Sequence, residues 1–159
     1  MLYHASIHCS SGHWPRHEAA GALTLDFEAR HRRRIRLRTD QGEEILLDLP
    51  RAVAMAEGDG LQLEDGRWLE VRAAAESVVE IRHPAPEQLA RLAWHLGNRH
   101  LPTEIGVGVL RIRPDHVIEV MLAGLGAALV KVQGPFQPER GAHRHADSHD
   151  SPHHHHHEH

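Results

Sequence analysis

The stretch Ser77-Val78-Val79-Glu80-Ile81, then Pro86-Glu87-Gln88-Leu89-Ala90-Arg91-Leu92-Ala93-Trp94-His95-Leu96-Gly97-Asn98, decides the fold of this chain. The first segment is rich in β-branched residues and stops before Pro84, which reads as a strand. In the second, Pro86 suits a first helical position, and Leu89, Leu92, Ala93 and Leu96 fall at the i, i+3, i+4, i+7 spacing of one helix face. Gly97-Asn98 closes it. Leu101 to Ile112 then reads as extended with glycine interruptions. Asp115 is a suitable N-cap for a second helix with Ile118, Met121, Leu122 and Leu125 on one face, and Gly126 precedes a last strand, Ala128 to Gln133. The order strand, helix, strand, strand, helix, strand is that of a ferredoxin-like unit.

Upstream of it the period changes from helical to two. Leu23, Leu25 and Phe27 alternate with polar neighbours, as do Ile35 and Leu37 with Arg34, Arg36 and Arg38. Glu44 to Leu49, Leu61 to Leu63 and Trp68 to Val71 continue the pattern, with Asp65-Gly66 a hairpin turn signal. Ala73 to Glu76 reads as a bland connection. The first twenty residues, with His4, His8, Cys9, His13 and His17, are left unassigned; their i, i+4 pairs could chelate only on a helix, and Pro15 argues against its continuity. The expected class is therefore α+β: a β-rich domain over 1–75, a ferredoxin-like domain over 76–139, and a tail over 140–159. From Gln137 onward the residues are polar, proline or histidine, cannot bury a core, and are expected to be disordered.

Composition narrows the function. The chain has 159 residues, a formal charge of −4 and a single cysteine, Cys9, which excludes an internal disulfide and an all-cysteine zinc cage. Val117 to Val130 is too short and too interrupted for a membrane span, and Met1 to His4 lacks the start of a signal peptide, so a cytoplasmic location is the default expectation. Walker A, dinucleotide and Gly-x-Ser-x-Gly patterns are absent, so an enzyme is not expected. Arg30-His31-Arg32-Arg33-Arg34 raises nucleic-acid binding, but stacking aromatics are missing nearby and strand alternation would make several of these arginines a solvated face.

Histidine is the anomaly, at 18 residues. Nine of these lie in the tail: His143, His145, His149, His153, His154, His155, His156, His157 and His159, interleaved with Asp147, Asp150 and Glu158. Imidazole suits nickel, copper and zinc, and a chain rich in it can share several ions. Five consecutive histidines also resemble an affinity tag, but His143, His145 and His149 begin the pattern upstream. His95 and His100 lie five apart and do not share a helix face, which excludes a metalloprotease helix. His100 falls just beyond the Gly97-Asn98 stop. His116 opens the second helix.

The segments His95-Leu96-Gly97-Asn98-Arg99-His100-Leu101-Pro102, Arg113 to Leu122 and Gly134-Pro135-Phe136-Gln137-Pro138-Glu139 resemble those of UreE, the urease accessory nickel metallochaperone family. The likeness extends to Leu23 to Arg30 and Leu49-Pro50-Arg51. It implies a homodimer with an N-terminal peptide-binding-like domain and a C-terminal metal-binding domain. It implies too that the histidine ending Gly-Asn-Arg-His, here His100, lies near the dimer axis so that two chains share one ion. His116 matches a secondary metal position of some members, although Pro114 stands where those members have another histidine. The implied cargo is Ni²⁺, with Zn²⁺ or Cu²⁺ as competitors. The implied partners are the urease accessory GTPase, its accessory complex and apo-urease, with neither nucleic acid nor membrane. A buffer that stores nickel or zinc without donating it is the alternative.

Overall fold

A computed structural model describes residues 1–140. The N-terminal half forms one six-stranded sheet from β1 (Tyr3–Cys9), β2 (Ala19–Leu25), β3 (Arg34–Arg38), β4 (Glu44–Asp48), β5 (Gly60–Leu63) and β6 (Trp68–Ala73), in the order β2-β6-β5-β1-β4-β3. The alternating segments pack Leu23, Leu25, Ile45, Leu47, Leu61, Leu63, Leu69 and Val71 into one apolar cluster. The Asp65-Gly66 signal is used as expected: Gly66 takes φ +90, and β5 pairs antiparallel with β6. Gly60 is demanded by packing, since the Trp14 ring would lie 2.4 Å from an added Cβ and its indole N–H donates to the Gly58 carbonyl.

In this half one unassigned segment proves to be a strand and two expectations fail. The unassigned N-terminus supplies β1, which lies in the middle of the sheet, parallel to β4 and antiparallel to β5. It buries only Ala5 fully and carries a register shift between Ala5 and Ile7, so no alternation betrays it. Phe27 lies beyond the end of β2; it remains buried but packs against Phe136 and Val78. Arg30 belongs to a 3₁₀ turn, Ala29–His31, and is 1% exposed, so the basic run is not a uniformly solvated strand face.

The C-terminal half contains β7 (Ala75–Arg82), α1 (Pro86–Asn98), β8 (Glu104–Gly106), β9 (Val109–Ile112), α2 (His116–Gly124) and β10 (Ala128–Pro135). Its sheet runs β10-β7-β9-β8, antiparallel throughout, so the βαββαβ order read from the sequence is present. Leu92, Leu96 and Leu122 from the helices cover Val79, Ile81, Leu110 and Ile112. Leu125, expected on the buried face, is the C-cap of α2 and stands 45% exposed.

No bland linker separates the halves. β6 ends at Ala73 and β7 begins at Ala75, while the Ala74 N–H donates to the Leu25 carbonyl. Nor is the backbone loose from Gln137. Its N–H donates to Glu104 Oε1 at 2.9 Å, its side-chain oxygen accepts from the Glu57 N–H, and the Glu139 N–H donates to the Thr103 carbonyl at 2.8 Å. The expected disorder thus fails for Gln137 to Arg140, and its remainder lies outside the described residues. Among the described residues, no helix is long and apolar enough to cross a membrane.

Candidate metal centre

The end of α1 places His100. Helix α1 has no side-chain N-cap but begins with Pro86 and buries Leu92 and Leu96. At its other end the His100 N–H donates to the Gly97 carbonyl at 3.0 Å and the Leu101 N–H to the Leu96 carbonyl at 3.1 Å. This is a Schellman closure, with Leu101 joining Leu96 in the apolar cluster. The residue at its left-handed position is ordinarily glycine, yet here it is His100, at φ 56. No other described non-glycine residue has positive φ. Holding a Cβ there costs roughly 1–2 kcal/mol, and the closure imposes it on an exposed imidazole.

His116 is exposed at the first position of α2. Asp115 caps that helix, its Oδ1 accepting from the Ile118 N–H at 3.1 Å, while Glu119 reaches back to the Asp115 N–H at 3.0 Å. The helix terminus itself disfavours a cation, which the two carboxylates offset. Among the described residues, no group of three or more His, Cys, Asp or Glu side chains is arranged to hold an ion. His143, His145, His149, His153, His154, His155, His156, His157 and His159 lie outside the described residues.

A cavity of about 570 Å³ opens between the two halves, with Phe27, His31 and Met55 on one side and His100, Leu101 and Glu139 on the other. Its rim is built around Arg30, which donates Nε–H to the Leu25 carbonyl and Nη1–H to the Met55 carbonyl, both at 3.2 Å, and Nη2–H to the Phe136 carbonyl. Burial pulls this guanidinium below its ordinary pKa, and Glu76, Asp26, Glu57 and Asp59 oppose that. The sequence reading missed both Arg30 and His31. Their signal was the interruption of alternation between Phe27 and Ile35, which leaves room for a turn.

The fold is that of a two-part α+β protein with a histidine at a strained helix end. The profile of the UreE urease accessory protein N-terminal domain matches residues 4–74, and that of the C-terminal domain matches 76–159. The chain is 57% identical over 125 residues to a urease accessory protein UreE of Bradyrhizobium sp. (strain ORS 278), covering 79% of this chain and 60% of that protein. It is 52% identical over 142 residues to one from Chelativorans sp. (strain BNC1), covering 89% of each, and 45% identical over 143 residues to one from Ruegeria pomeroyi, covering 90% and 93%. It thus spans less than two thirds of the Bradyrhizobium relative. The chain belongs to the UreE urease accessory protein family.

Proposed function

We propose that this chain is a nickel metallochaperone, not an enzyme, acting in the cytoplasm as a homodimer of two-domain subunits divided near residue 75. In this reading the nine tail histidines gather Ni²⁺, and a pair of His100 rings near the twofold axis holds one ion for the urease accessory GTPase, its complex and finally apo-urease. His116 is a secondary ligand. The observation that carries the reading is His100 itself: the Gly-Asn-Arg-His segment ends on an exposed imidazole held where glycine would relieve strain. Backbone strain retained at a chemically competent side chain supports a functional role for it. Zn²⁺ and Cu²⁺ compete, since nitrogen sites favour copper intrinsically.

The test is urease activation reconstituted at limiting nickel, with metal content measured in parallel. His100→Ala should leave total uptake nearly unchanged, because the tail is untouched, yet abolish delivery. Full activation by that variant would eliminate His100 as the transfer site and favour a buffer. A chain ending at Glu139 should keep about one ion per dimer. Uptake equal to that of the full chain would remove the tail's role.

A further inference from the structure

The residues that follow His100 and those from which the tail departs are tied to each other. The Leu101 N–H donates to the Leu96 carbonyl at 3.1 Å, and the Thr103 hydroxyl donates to the Leu101 carbonyl at 3.0 Å. The Thr103 carbonyl in turn accepts the Glu139 N–H at 2.8 Å, and Glu104 Oε1 accepts the Gln137 N–H at 2.9 Å. Hydrogen bonds thus run without a break from the end of α1 to the root of the tail.

The Glu104 carboxylate is itself held. Its second oxygen accepts Nη1–H of Arg111 at 2.7 Å, and Arg111 is fixed by Glu80 at 3.3 Å, so the carboxylate is oriented from behind and turns Oε1 toward the tail root. Gln137 secures the root on the other side, its Oε1 accepting the Glu57 N–H at 2.9 Å. The last described residue, Arg140, lines the same cavity as His100.

A chain fixed at Arg140 has a limited reach. His143 lies three residues further on and His145 five. At about 3.3–3.6 Å per residue, they stay within about 11 Å and about 18 Å of Arg140 in any arrangement. Without these bonds the tether would begin at the fully buried Phe136, and His143 would hang on seven residues instead of three. The effective concentration of a tethered group falls roughly as the −3/2 power of tether length, so that release would dilute His143 about fourfold.

We propose that Glu104 is a positioning residue for metal transfer: it fixes the root of the tail beside the end of α1, so that an ion gathered by the tail is held within reach of His100. This deepens the delivery reading and rests on it.

The test compares the full chain with three variants: Glu104→Ala, Glu104→Gln, which keeps an oxygen for the Gln137 N–H, and a chain with about ten Gly-Ser residues inserted after Arg140, which alters no described residue. Nickel uptake should be equal in all of them. Urease activation at limiting nickel should fall by up to about fourfold in Glu104→Ala and about ninefold with the inserted linker, and should recover in Glu104→Gln. A nitroxide on Ala142→Cys, in a Cys9→Ser background, reads the position of the root directly. It should broaden the Leu101 and Thr103 amide signals strongly in the parent and in Glu104→Gln, and less in Glu104→Ala. Equal broadening in the parent and Glu104→Ala, or activation unaffected by the linker, overturns the proposal. Should Glu104→Ala fail to fold, the chain with the linker decides alone. His100→Ala separates the two ideas: full activation by that variant defeats the delivery reading and this role with it, whereas lost activation there, with none lost on lengthening the tether, defeats only the role of Glu104.

Discussion

The two sheets of this molecule are finished in opposite ways. Among the described residues, all four buried polar or charged side chains, Arg30, Thr39, Asp59 and Glu70, belong to the N-terminal half. Each has a partner: Glu70 accepts from Arg16 at 2.5 Å, Thr39 from the Glu43 N–H, and Asp59 from His8 and from the N–H groups of Ser11 and Ala56. Among its described residues the C-terminal half buries only apolar side chains, but it leaves Trp94, Ile105, Val107, Val117, Val120, Leu125 and Val130 substantially exposed, against Met1 and Ile7 in the N-terminal half. One half closes on itself through directional bonds, and the other keeps apolar surface outside. Surface of that kind marks interaction sites in soluble proteins.

The largest effect should come from breaking the three bonds of Arg30, two of which close the N-terminal half on itself while the third reaches the C-terminal half. Arg30→Leu would fill much the same space but leave the Leu25, Met55 and Phe136 carbonyls without their donor. We expect a loss of about 4 kcal/mol, read as a lowered urea midpoint. A midpoint within error of the parent would mean that the remaining contacts between the halves, such as Phe27 with Phe136 and Gln137 with the Glu57 N–H, suffice to hold them.

Asp59 should show itself next, through acid. Burial opposes its charge, but the hydrogen bonds from His8, Ala56 and Ser11 outweigh that and hold the carboxyl below its ordinary pKa. A depressed folded-state value contributes stability above the unfolded pKa, near 4, and loses it as pH falls through the folded value. Unfolding free energy should therefore decline below about pH 4 in the parent and more gently in Asp59→Asn, which should also be about 2 kcal/mol less stable at neutral pH. Parallel pH profiles would assign the acid sensitivity to other carboxylates.

A smaller effect, of opposite sign, is expected at the helix end. His100→Gly removes the strain of the left-handed position and should raise stability by up to about 1 kcal/mol, while sacrificing the imidazole. A thermal midpoint that falls would show that contacts of the ring outweigh its backbone strain. Finally, Val120→Lys on the exposed face of α2 should change stability by less than about 0.5 kcal/mol. If that face joins subunits, sedimentation should register a shift toward monomer, and an unchanged distribution would place the interface elsewhere.

How far the sequence disclosed all this follows from how each element is stabilised. Helix α1 was legible to its last residue because propensity, Pro86, apolar spacing and Gly97-Asn98 agree. The Asp65-Gly66 hairpin and the Asp115 cap were legible for the same reason, since a local geometry needed those residue types. Strand β1 was not, because its place between β4 and β5 is conferred by partners remote in sequence. The site divided likewise. His100 stood out through its motif, but its φ could not be read from sequence. Arg30 and His31 looked like solvated charge, and only the meeting of two sheets turned one into a buried tie and put the other on a cavity.

The central position of β1 also sets a schedule for synthesis. Tyr3 to Cys9 leaves the ribosome before the segments that will flank it, roughly forty residues ahead of β4 and nearly sixty ahead of β5. At about 5–20 residues per second, the strand waits several seconds with both edges open. Its sparing use of large apolar side chains, with His4, Ser6 and His8 among its seven residues, keeps that wait from becoming an invitation to pair with other nascent chains.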